Sequence, residues 1–150
     1  MKTFLTFLGG WIAAAVATTA LGVLFQTQNV IARLNGIGAD IGWSERLSMS
    51  AYDLLRLGSL YILFVGIATL VAYLAGLLVY RLASFGRWVV FAVAGAVALF
   101  VMLMLMKQAF FGVHLIAGAR DVAGIGFQML AGALGGLVFA GLTRPARRRA

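Results

Sequence analysis

The chain has 150 residues, 63% of them hydrophobic and 11% charged, with a mean hydropathy of +1.04. Soluble domains are about half apolar and roughly a quarter charged, so this balance is that of a membrane protein. Cysteine is absent and histidine occurs once. That composition excludes disulfides, thiolate metal sites and cysteine nucleophiles, and it excludes a bis-histidine haem or a three-histidine zinc centre within one chain. No metal or cofactor is expected. The net charge of +8 suits nucleic acid only if the cations form a continuous basic face. Here they sit at the ends of apolar runs, where they orient a membrane protein and meet anionic headgroups, so no nucleic-acid partner is expected.

Four apolar runs are long enough for a bilayer crossing of about 20 helical residues. They lie at about 4–25, 57–80, 88–106 and 122–142, and none has an internal charge. The expected fold is an all-α integral membrane protein of four antiparallel transmembrane helices, forming one domain over 1–150. The first run follows Lys2 and contains small residues from Ala13 to Ala20, as a signal peptide would. Its apolar length, reaching Phe25, exceeds a usual signal core and reads as a retained span. Small residues recur in it every fourth position at Gly10, Ala14, Thr18 and Gly22.

Between the first two runs lies the longest polar stretch, an extracytoplasmic interfacial segment at about 27–55. It opens with Gln26, Thr27, Gln28 and Asn29. Val30, Ile31, Leu34 and Ile37 then share a helical face, which predicts a short amphipathic helix over 29–36 lying in the interface. Gly36, Gly38 and Gly42 would break it. Ser50 and Asp53 have capping-box spacing, which predicts that the second helix begins near residue 51. That start puts Asp53 and Arg56 three apart on one face at the membrane boundary. The second run carries its own small-residue row, Ala68, Ala72 and Gly76.

RLASFGR at 81–87 is short enough for a tight turn between neighbouring helices. The third run ends in VMLMLM, bulky all round, which reads as a lipid-facing or partner-bedded surface. After it comes KQAFFGVHLIAGARD, residues 107–121. Phe110 and Phe111 suit an interfacial aromatic belt, and Asp121 suits the positive end of a helix dipole. Asp53, Arg56, His114, Arg120 and Asp121 are thereby expected to form a polar cluster at the outer mouth of the bundle.

The fourth run has the clearest contact row: Gly124, Gln128, Gly132, Gly136 and Ala140, each four apart, including a GxxxG. Helices in lipid associate where small residues allow close backbone approach. Gln128 is the one strongly polar side chain deep inside a run, and an amide in hydrocarbon needs partners, so it should point into a helix interface. Arg144, Arg147, Arg148 and Arg149 follow as an anchor for anionic lipid headgroups.

Counting Lys and Arg by side places Lys2, Arg81, Arg87, Arg144, Arg147, Arg148 and Arg149 together. Arg33, Arg46, Arg56, Lys107 and Arg120 fall on the other side with all four acids. The positive-inside rule makes the first side cytoplasmic, with both termini there, in a bacterial-type inner membrane. HExxH, P-loop and GxSxG motifs are absent, as are charges or breaks at mid-span. The leading functional expectation is a non-enzymatic accessory or assembly subunit, packing on itself or on a larger membrane partner through small-residue faces. An oligomeric channel or transport component is the alternative. A membrane enzyme acting on lipid-like substrates through His114, Asp53 and Asp121 is a second.

Overall fold

The computed structural model describes residues 2–82, 86–109 and 121–144, and these form four helices with no strand among them. They are α1 (Lys2–Gly36), α2 (Trp43–Leu82), α3 (Arg87–Ala109) and α4 (Val122–Leu142). All four are long and apolar enough to cross a membrane, the make-up of a multi-pass membrane protein. At 1.5 Å per residue, α3 and α4 are each about one hydrocarbon thickness long, near 30 Å. With 35 and 40 residues, α1 and α2 reach about 52 and 60 Å and outrun it. Each helix packs on two neighbours, α1 on α2 and α4, and α3 on the same two. The result is a four-helix ring with α1 and α3 on one diagonal.

The stretch 27–55 is where the structure corrects the sequence reading. Residues 29–36 are not a separate amphipathic helix; they are the unbroken end of α1, with Ile31 fully buried. The predicted glycine break holds only at its far end. Gly38 takes φ of +93°, and the Gly38 and Ala39 N–H groups donate to the Asn35 and Leu34 carbonyls, a Schellman stop. α2 likewise begins at Trp43 rather than near residue 51. The reason is a better cap upstream. The Gly42 carbonyl accepts the first helical bond from Arg46 N–H, while the Glu45 carboxylate reaches back to Gly42 N–H at 3.1 Å. This is the acidic half of a capping box. Ser50 and Asp53 are thus inside the helix. Ser50 Oγ donates to the Arg46 carbonyl, and Asp53 turns to α1.

The interior is built by close approach. At Gly95 and Gly132 a Cβ on either glycine would land on the other's carbonyl oxygen, and one on Gly136 would strike the Phe91 carbonyl. α3 and α4 therefore touch backbone to backbone, in the manner of Cα–H···O contacts. The VMLMLM stretch, read as lipid-facing or partner-bedded, divides: Met102, Leu103 and Met106 are buried in the bundle, while Val101 and Leu105 face outward. Toward one end, Tyr73 stacks on Phe139 at 4.5 Å, and Phe91 meets both rings edge-on. Gly10 and Gly135 of α1 and α4 complete the contact by lying against Thr143 and Thr18. The outward faces of α2 and α3 are the reverse of a soluble surface, lined by exposed Leu, Ile and Val.

Candidate functional site

Every member of the α4 row is buried, and the ring of neighbours divides it among three helices. Gly132 and Gly136 serve α3, and Ala140 joins the aromatic cluster of Tyr73, Phe91 and Phe139. Gln128 serves α1 and α2 together. It is 1% exposed. Its amide Nε2 donates to the Gly22 carbonyl at 2.9 Å, and its Oε1 accepts from the Tyr61 hydroxyl at 2.7 Å. A Cβ on Gly22 would fall 2.7 Å from Oε1, so glycine there is what lets the amide seat. The contact is an inter-helix clasp at hydrocarbon depth, where an unpaired amide would be costly. The α4 row is accordingly used up within the chain and presents no face to a partner.

The outer polar residues are also sorted by α1. Asp53 accepts a 2.8 Å bond from the Thr27 hydroxyl, which is itself buried and also bonds the Val23 carbonyl. Asp121 forms the N-cap of α4, accepting from Gly124 N–H at 2.8 Å, and it pairs with Arg33 and takes a bond from Asn29. The Gly124 N–H holds the Asp121 carboxyl below its ordinary range; partial desolvation opposes this, and Arg33 and Asn29 add to the lowering. Arg56 is exposed with its guanidinium 5.8 Å from the Tyr52 ring. Asp53 and Asp121 are thus tied to successive turns of α1 rather than to each other. His114 and Arg120, the other two expected members, lie outside the described residues.

Among the described residues no three His, Cys, Asp or Glu side chains gather as a metal site. At the opposite end Arg144 lies 4.5 Å over the Trp88 ring, while Arg147, Arg148 and Arg149 lie outside the described residues. The more deeply placed cation there is Arg87. It donates to the Ala140 and Thr143 carbonyls and to the Thr143 hydroxyl, closing the last turn of α4 from the first residue of α3. A cation at a helix C-terminus also meets the negative end of its dipole. Sequence reasoning placed Arg87 only as a topology signal. The clue was its position, one short turn after α2 and at the head of α3.

Large apolar side chains also stand exposed at the tip where α1 passes to α2. Ile37, Trp43 and Leu47 are 82%, 81% and 71% exposed. Trp43 lies ten residues before Asp53 on α2, about 15 Å further along the axis. The Arg46 guanidinium lies 5.6 Å from the Trp43 ring, and Glu45 is exposed beside it. Comparison with protein-family models, curated proteins and solved structures finds no match to this chain.

Proposed function

We propose that this chain is a small accessory or assembly subunit of the bacterial-type inner membrane, which holds a partner protein through the tip of an α1–α2 hairpin. In this reading the four helices run antiparallel with both termini cytoplasmic. Residue pairings support that arrangement. Gly10 of α1 neighbours Thr143 of α4, and Arg33 pairs with Asp121 at the other end. The hairpin then projects on the side where the four acids lie.

One observation carries the proposal: Ile37, Trp43 and Leu47 stand exposed together beyond the level at which α4 begins. Large apolar side chains clustered in water mark interaction sites, and tryptophan and arginine are the residues most enriched among interface anchors. The small-residue row of α4, which the sequence suggests as the partner face, is occupied inside the chain, so recognition moves to the tip. The partner surface that fits is apolar, with charges of either sign at its rim to meet Arg46 and Glu45. On the cytoplasmic side, Arg144 and its neighbours contact anionic headgroups.

Photo-crosslinking in intact membranes tests this. A crosslinker at position 43 should yield one discrete protein adduct, whose mass tells a second copy from a larger subunit. The same probe at Leu63 on the lipid-facing side of α2 should yield none. The double substitution Trp43→Ser with Leu47→Ser should remove an adduct formed from position 37 while helicity by circular dichroism is unchanged. Adduct formation indifferent to that substitution would sink the proposal.

A further inference from the structure

The seam between α2 and α3 is open along its length toward the outside of the ring. Two hollows of about 500 and 440 Å³ lie on it, and they share Ala72 and Val97. Together they follow α3 from Val89 to Ala109, which is about one hydrocarbon thickness. The floor is made of small residues, Ala68, Ala72 and Ala98, and the rims of exposed Ile67, Val71 and Val101. No polar side chain lines either hollow. The larger one ends at Met106 and Ala109, in the same turn as Lys107. Lys107 is exposed and has no ion pair among the described residues.

We propose that the larger hollow holds an acyl chain of an anionic phospholipid whose phosphate meets Lys107. The charges decide between this occupant and a helix of a second copy. A second copy would bring this chain's own acids, and each of them is committed or distant. Asp53 accepts from Thr27, Asp121 pairs with Arg33, and Asp40 and Glu45 lie at the α1–α2 tip, beyond that depth. None is left to face Lys107 at the depth where α3 ends. A phospholipid supplies both halves of the complement, an unbranched apolar chain for the narrow floor and a negative group at headgroup level. The inference rests on the membrane reading but not on the partner at the tip.

Native mass spectrometry of the purified chain in mild detergent, given equal amounts of phosphatidylglycerol and phosphatidylcholine, reads this directly. The chain should retain phosphatidylglycerol in preference. Lys107→Gln, on an exposed side chain, should lower that preference about fivefold, the effect of one basic residue near a charged surface. Ala72→Leu, which narrows the floor at the waist of the seam, should reduce retention of both lipids. Because Lys107→Gln leaves the packing untouched, it decides the matter even if Ala72→Leu disturbs the fold. An unchanged preference in Lys107→Gln, or unchanged retention in a folded Ala72→Leu, overturns the proposal. A dimer that Ala72→Leu dissociates overturns it too, and gives the seam to a second copy.

Discussion

α3 takes part in two seams of opposite character. Against α4 it closes backbone to backbone through Gly95, Gly132 and Gly136, with no room for a single added carbon. Against α2 its contacts are made by side chains, and alanine floors between valine and isoleucine rims leave hollows open to the outside. Both seams are rich in small residues at four-residue spacing. What separates them is glycine paired with glycine. Two glycines at one level allow carbonyls and Cα atoms to meet, whereas a methyl group on either helix keeps the backbones apart and leaves a groove above it. A small-residue row therefore does not by itself say whether a face is closed or still able to receive something.

The sharpest way to break this contrast is to place the same side chain in each seam. Gly132→Leu should destroy the α3–α4 contact, because the new Cβ would meet the Gly95 carbonyl, which cannot move without its helix. A loss of more than about 4 kcal/mol is expected, enough to prevent a folded bundle. Ala72→Leu in the open seam should cost no more than about 3 kcal/mol, the upper end of ordinary overpacking. Reversible unfolding in mixed detergent micelles measures both, and equal costs would show that the two seams do not differ in the way their geometry implies.

An intermediate effect is expected at Gln128, where polar bonding rather than shape joins α4 to α1 and α2. Gln128→Leu leaves the Tyr61 hydroxyl without its partner and strips the Gly22 carbonyl of its second bond, at a cost of about 1–3 kcal/mol. A double-mutant cycle with Tyr61→Phe should give a coupling near 0.6 kcal/mol, the usual scale for one bond between membrane helices. Zero coupling would mean the clasp is carried by packing alone.

The smallest effect concerns the outer end of the ring. The Asp121 carboxyl has a lowered folded-state pKa, through Gly124 N–H first and Arg33 after it. A depressed acid stabilises the fold above its unfolded pKa, about 3.9. That contribution is lost as pH falls through the lower folded value. Unfolding curves followed downward from pH 6 should therefore show a modest decline below about pH 4, and Asp121→Asn should remove that part of it. Because Asp121 and Arg33 are both about half exposed, salt should weaken the pair as well.

How much of this was legible beforehand differs from residue to residue. The fourth run was located to its ends, since Asp121 caps it and Thr143 closes it. The buried state of Gly124, Gln128, Gly132, Gly136 and Ala140 follows from their spacing, but the assignment of each to α1, α2 or α3 does not. Gly95 is not legible because it is a lone glycine in a run of alanine and valine, and only its partner at Gly132 gives it meaning. Arg33 and Asn29 share a helical face four residues apart, which is a readable sign of a common target. That sign was masked by ending the first helix at residue 25. The error in α1 and α2 has one cause: apolar length marks what hydrocarbon can hold, while a helix continues as long as its backbone bonds and caps allow.

From sequence alone, composition and run length determined four long apolar helices and the absence of cysteine chemistry. These are sums over many residues, and no single contact alters them. Tertiary structure alone decided which glycines meet, that Gln128 joins three helices, that α1 draws Asp53 and Asp121 to itself, and that the α2–α3 seam stays open. Each of those depends on the angular phase of one helix against another at ångström scale. Small residues permit close approach on every face they occupy, and only the assembled ring determines which face is taken.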